Sequence, residues 1–259
     1  MTKQKRRNRS NVQNGKQMRD SVDKMTNQPV WLWGVHAVQA ALANPRRTVK
    51  RLLATPNAAR RLGLDRPEVI SARDIDKLLP SGAVHQGVAV QTMALATVGL
   101  DELIDQKPRC VAVLDQISDP HNLGAVWRSA AAFGVEAIIL QTRHSPPITG
   151  LVAKSAAGAV ETVSECRVVN IARALDALGS SDYVAVGMAG EAEAALGDVL
   201  PNKGHLALVF GAEGSGLRPA VAKACTWLAK IPMSEQMESL NISNAAAIAF
   251  YEAARVRSS

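Results

Sequence analysis

Aromatic residues make up only 3% of this 259-residue chain. The core must therefore be assembled from the aliphatic residues that dominate its 47% hydrophobic fraction. Cysteine is equally scarce: Cys110, Cys166 and Cys225 are odd in number and form no C-x-x-C pair. That excludes a disulfide scaffold and a thiolate zinc site, and leaves the thiols as small core residues. The five histidines show no H-x-x-x-H spacing, so no protein-bound metal is expected. No apolar run approaches the roughly 18 to 20 residues of a membrane span, and the N-terminus lacks a secretory-type apolar segment. A soluble, cytoplasmic protein is expected.

What is present is a net charge of +7, unevenly placed. Residues 1–27 hold eight Lys and Arg residues against Asp20 and Asp23, so +6 of the +7 lies in this arm. With almost no apolar side chains the arm is expected to be disordered, and basic arms of this kind bind nucleic-acid phosphates by releasing counterions. The length suits two domains. A small α/β module is expected at 28–95. It combines a helical pattern through Leu42 that stops near Asn44-Pro45, strands at Leu52–Ala54 and Gly87–Gln91, and a helix near Ala72–Leu79. His85-Gln86-Gly87 reads as a turn that could also touch a ligand. Residues 96–108 read as a linker.

From 109 to 259 apolar strands alternate with helices, the pattern of a mostly parallel sheet. Strands are expected at 110–116, 135–141, 183–187 and 205–211, with another near 160–169. Helices are expected at 123–133, 149–157, 170–178, 218–224 and 242–256. The last of these is apolar around most of its circumference and should be buried.

Three stretches of this region carry polar chemistry. In D-P-H-N-L-G-A-V-W-R (119–128) a turn leads to a helix that Asn122 is placed to cap, with Arg128 off the apolar stripe and flanked at i−4 by Gly124. In V-F-G-A-E-G-S-G-L (209–217) a buried strand breaks into a loop with glycines at 211, 214 and 216, around the single acid Glu213. The loop matches neither a P-loop nor a dinucleotide fingerprint. In I-P-M (231–233) followed by E-S-L-N-I-S-N (238–244), Ser239, Asn241, Ser243 and Asn244 are more capping groups than one helix start requires.

In order and spacing these three stretches resemble the motifs of the SpoU-type branch of the SPOUT RNA ribose methyltransferases. W-G-V-H-A-V-Q-A-A-L (33–42) and H-Q-G-V-A (85–89) also resemble the ribosomal-protein-like substrate domain of members that methylate a guanosine of large-subunit rRNA. The resemblance implies an α/β domain tied in a deep trefoil knot, paired as a homodimer, with S-adenosylmethionine held largely by backbone groups of Gly211, Ile231, Leu240 and Met188. It implies a catalytic set of Asn122, Arg128, Glu213, Ser239 and Asn241, in which Arg128 anchors the target phosphate, the amides and Ser239 fix the ribose, and Glu213 orients Arg128 or a loop. The expected reaction is methyl transfer to a ribose 2'-hydroxyl of a guanosine in 23S rRNA. A tRNA ribose methyltransferase, or a non-catalytic RNA-binding or ribosome-assembly factor on the same scaffold, are the alternatives.

Overall fold

The computed structural model describes residues 29–234, 236–237 and 239–258. The basic arm and its expected RNA contact lie outside them. The chain begins β1 (Pro29–Trp33), α1 (Val35–Ala43), β2 (Val49–Ala54), α2 (Pro56–Leu62), β3 (Glu68–Val69), α3 (Ala72–Asp76) and β4 (Val88–Met93). These form a four-stranded sheet of order β1-β4-β2-β3, antiparallel except between β2 and β3. The triplet at 85–87 is a structural turn within it. Gln86, at φ +56, accepts the Val35 N–H on its Oε1 at 3.0 Å. It thereby supplies the cap for α1 that Gly34 lacks.

The chain continues through α4 (Leu100–Gln106), β5 (Cys110–Leu114), α5 (Pro120–Ala132), β6 (Ala137–Gln141), α6 (Gly150–Ser155), a 3-10 turn at Ala159–Glu161 and β7 (Ser164–Val168). It closes with α7 (Ile171–Gly179), β8 (Tyr183–Met188), α8 (Leu196–Val199), β9 (His205–Phe210), α9 (Pro219–Lys223), β10 (Trp227–Ala229) and α10 (Ile242–Ser258). The strands build an all-parallel sheet of order β10-β8-β9-β5-β6-β7. β5 and β6 are buried along their whole length, because helices cover both faces, and that is why they read as unbroken apolar runs. One face packs on Trp127, Phe210 and Phe250, the other on Ile171, Leu175 and Leu178.

Several expectations change. The connector holds α4, whose Leu103 is buried in the second core cluster, and Val98 pairs with Cys166. The short strands β1 and β10 and the helices α2 and α8 have no counterpart among the expected elements, since three to seven residues carry little periodicity. α10 is not buried all round: Ile242, Ala246, Ala249, Phe250 and Ala253 face the core, while Ile248 and Tyr251 are 41% and 53% exposed. Among the described residues no helix is long and apolar enough to cross a membrane.

The two sheets meet at a tight seam. A Cβ on Gly150 would lie 2.0 Å from the Trp33 ring and 2.3 Å from the Trp31 carbonyl oxygen, so only glycine lets α6 start against β1. Beside it the Arg47 Nη2 donates to Glu161 Oε1 at 2.8 Å, with both side chains almost wholly buried. Asn44 Nδ2 donates to Glu161 Oε2 at 2.7 Å.

Candidate active site

β9 and β5 are neighbours in the sheet, paired from Cys110↔Leu206 to Leu114↔Phe210. The segments that leave their carboxyl ends, one leading into α5 and its Asn122 and the other a loop carrying Glu213, therefore emerge side by side. This crevice is where open parallel sheets gather ligand-binding groups.

The cap of α5 is Asp119, not Asn122. Asp119 Oδ1 accepts the His121 N–H at 2.9 Å, and Pro120 fills the first helical position, where its missing N–H costs nothing. Asn122, set one turn further in, is thereby free to reach across the crevice. Its Nδ2 donates to Glu213 Oε1 at 2.6 Å. Asn241 completes a triangle, with its Nδ2 3.3 Å from the same carboxylate oxygen and 3.2 Å from Asn122 Oδ1. The other end of the Asn241 amide caps α10: its Oδ1 accepts from the Ser243 N–H at 2.8 Å and from the Ser243 hydroxyl at 2.6 Å. One side chain thus fixes the start of a 17-residue helix and a corner of the polar cluster.

Glu213 accordingly orients two amides and not Arg128. Arg128 is exposed on α5 and makes no hydrogen bond or ion pair among the described residues. Gly124 does not provide the space beside it. A Cβ at 124 would lie 2.4 Å from Ser155 Cβ and 2.7 Å from the Val152 carbonyl oxygen, so this glycine instead lets α6 approach α5. Ser239 is exposed and likewise makes no hydrogen bond among the described residues.

The glycine loop after β9 is closed by a pair of backbone hydrogen bonds, Ala212 N–H to Gly216 O and Gly216 N–H to Ala212 O, both at 3.0 Å. Gly214 and Gly216 take φ of +83 and +65. A Cβ on Gly211 would lie 2.1 Å from the Gly216 carbonyl carbon and 2.4 Å from the Leu217 nitrogen. Gly211, Ile231 and Leu240 are half-buried, and their backbone groups bond no other backbone group among the described residues. Unpaired main-chain donors and acceptors at a half-buried position seek a partner. Met188 closes β8 opposite Ala229 and packs its side chain against the main core. Among the described residues no group of three or more His, Cys, Asp or Glu could hold a metal ion.

A parallel sheet covered on both faces, with its polar groups converging beyond the carboxyl ends of central strands, defines an open α/β protein with its ligand crevice at those ends. The chain belongs to the SpoU rRNA Methylase family, whose profile matches residues 109–251. It is 39% identical over 243 residues to the 23S rRNA (guanosine-2'-O-)-methyltransferase RlmB of Vibrio cholerae serotype O1, spanning 87% of this chain and 96% of the relative. Its fold matches that of the SpoU methyltransferase AviRb from Streptomyces viridochromogenes in complex with AdoMet. The TM-score there is 0.75, covering 89% of this chain and 91% of that one at 24% identity. A structure solved for insight into 2-OH methylation on tRNA covers 98% of its own chain but only 58% of this one, with TM-score 0.52 and 28% identity.

Proposed function

We propose that this chain is an S-adenosylmethionine-dependent RNA ribose 2'-O-methyltransferase whose acceptor is a guanosine of 23S rRNA. The observation that carries the reading is the meeting of Asn122 and Asn241, 119 residues apart, on the single Glu213 carboxylate oxygen beside Gly211. The named relative spans almost its whole length here. The tRNA enzyme has no counterpart for about two fifths of this chain, which favours rRNA over tRNA.

S-adenosylmethionine, when bound, supplies an electrophilic methyl on a sulfonium. The fit to this site rests on Gly211, Ile231 and Leu240, whose unpaired backbone groups are suited to the edge of an adenine, with Met188 at the neighbouring strand end. Arg128 anchors the phosphate next to the target ribose, because a guanidinium keeps its charge and presents only donors, so it binds anions far better than it accepts protons. Asn122, Ser239 and Asn241 hold the ribose, and Glu213 fixes the two amides in register. Holding the hydroxyl in line supplies much of the acceleration.

In this reading residues 28–95 are the RNA substrate-binding domain, 96–108 join it, and 109–259 are the methyltransferase domain with a deep trefoil knot at its ligand loops. Support for the compact C-terminal path is the packing of Phe250 in α10 on Phe210 at 5.6 Å between ring centroids. The protein acts in the cytoplasm as a homodimer, a pairing supported by the exposed apolar Ile248 and Tyr251 on α10.

The test is radiolabelled methyl transfer to total RNA lacking the modification. Arg128→Ala is expected to lower kcat/KM by on the order of 10²-fold, the scale of losing one positioning contact. Equal incorporation by variant and wild type would remove Arg128 from the mechanism. None by wild type would leave the non-catalytic RNA binder.

A further inference from the structure

Strand order sets three features in a row along the carboxyl edge of the parallel sheet. Met188 ends β8, Gly211 follows β9, and Asn122 lies on the helix after β5. Beyond it, between the loops after β5 and β6, lies an open cleft of about 580 Å3 lined by Gln116, Ser118, Arg143, His144, Ser145 and Pro146. No carboxylate lines it. Arg143 and His144 are exposed and form no hydrogen bond or ion pair among the described residues. The Ser145 hydroxyl is closed off from solvent, so the two exposed side chains are the ones the cleft presents. Outside the basic arm the chain carries a net charge of only +1, so this acid-free patch is not a by-product of general basicity.

The cleft is also held rigidly. Arg167, its Nε paired to Glu165 at 2.6 Å, donates to the carbonyl oxygens of Ser145 at 3.2 Å and Pro146 at 2.6 Å. The loop backbone is thereby pinned from beneath while Arg143 and His144 project. Behind the lining residue Gln116, Asp115, 1% exposed, takes the Arg218 guanidinium at 2.9 and 2.5 Å, and Arg218 also meets Gln141 Oε1 at 3.3 Å. Gln116, next after Asp115, stands at φ +66, a left-handed conformation that a non-glycine residue keeps only when its surroundings impose it. An ordinary solvated loop needs none of this bracing.

We infer that this cleft is a second phosphate-binding site for the acceptor RNA, gripping a backbone phosphate on the side of the target nucleotide away from the methyl donor. The inference rests on the reading of the chain as an RNA methyltransferase. Arg143 meets two phosphate oxygens with its planar fork, and the exposed His144 stands next to it at the mouth of the cleft. The strand then runs from the Asn122–Glu213–Asn241 cluster over the 115–122 loop into the cleft, with Arg128 and Arg143 as separate anchors.

The experiment compares full-length wild type, Arg143→Ala, Arg143→Lys and Ser145→Ala in steady-state methylation of unmodified 23S rRNA at several salt concentrations, with S-adenosylmethionine affinity measured alongside. Arg143→Ala should raise KM for RNA about 10-fold near 0.15 M salt and lower the salt slope by roughly 0.7 to 1. Its kcat should stay within about twofold and its S-adenosylmethionine affinity should be unchanged. Arg143→Lys should restore the slope but only part of the affinity, because a point charge replaces a fork, and Ser145→Ala, whose hydroxyl is closed off from solvent, should change neither KM nor slope. With wild type active, an unchanged KM and slope in Arg143→Ala would overturn the cleft and leave the methyltransferase reading standing. Loss of S-adenosylmethionine binding in step with RNA binding would overturn it too, by assigning the residue to the donor site or to folding. No transfer by wild type would overturn both.

Discussion

Removing the Glu161 carboxylate should destabilise the protein far more than removing it together with its partner. Arg47 Nε lies 3.1 and 2.9 Å from the two carboxylate oxygens and Nη2 lies 2.8 Å from the first. Its remaining nitrogen donates to the Met93 carbonyl oxygen at 2.8 Å. The side chains are 2% and 4% exposed. Glu161→Ala therefore strands two guanidinium nitrogens in a site closed to water and removes the shorter of the two contacts of the part-buried Asn44 amide. Breaking a buried pair from one side costs about 3–5 kcal/mol, or two to three and a half powers of ten in the folding equilibrium at about 1.4 kcal/mol each. Arg47→Met with Glu161→Leu removes both charges and their desolvation together, so the double variant should fall within about 2 kcal/mol of wild type. Equilibrium urea unfolding followed by tryptophan fluorescence reads this directly, since Trp31 and Trp33 sit at the seam. A Glu161→Ala variant within about 1 kcal/mol of wild type, or a double variant worse than the single, would refute the reasoning. The pair's value lies in fixing how the N-terminal sheet meets the parallel one, because a buried ion pair is poor at adding net stability.

Gly211→Ala should open the loop after β9, because the contacts at 2.1 to 2.4 Å are all to backbone and no rotamer can relieve them. We expect a stability loss of about 1–3 kcal/mol and loss of S-adenosylmethionine binding by calorimetry; wild-type affinity would show that the loop tolerates a methyl group and that Gly211 is not the close-approach point. Burial pushes the thiols of Cys110 and Cys166 up to about 12 and that of Cys225 to about 11. Since the thiolate is the reactive form, all three should resist iodoacetamide at pH 8 until urea is added, which mass spectrometry would register. The folded values lie above the unfolded value near 9, so folding favours the protonated thiols. Their contribution is fully present below about pH 9 and is lost as pH rises toward 11 to 12. Urea midpoints that stay level from pH 8 to 11 would contradict this.

Asn122, Glu213 and Asn241 stand out in the sequence at pattern breaks, after an Asp-Pro turn, among glycines and before an Ala-rich helix, but their grouping as a site comes from the resemblance of the three motifs to the SpoU family. The parallel sheet was legible for a related reason, since burial on both faces leaves an unbroken apolar run in sequence. Short strands such as β10, held by pairing with β8, gave no comparable pattern.

Local chemistry by itself determined the order of strands and helices, the breaks between them and the residue types at those breaks, because periodicity and turn preference act over a few neighbouring residues. Which breaks become neighbours was decided only in three dimensions. β9 joins β5 across the sheet, and that pairing brings together Glu213 and Asn122, which are 91 positions apart in the sequence. The same holds for Arg47 and Glu161, which look like solvated charges in the sequence and become a buried pair only when the two sheets close on them. Hydrogen bonds and ion pairs over such distances depend on strand order and burial, and neither is written in any local stretch of residues.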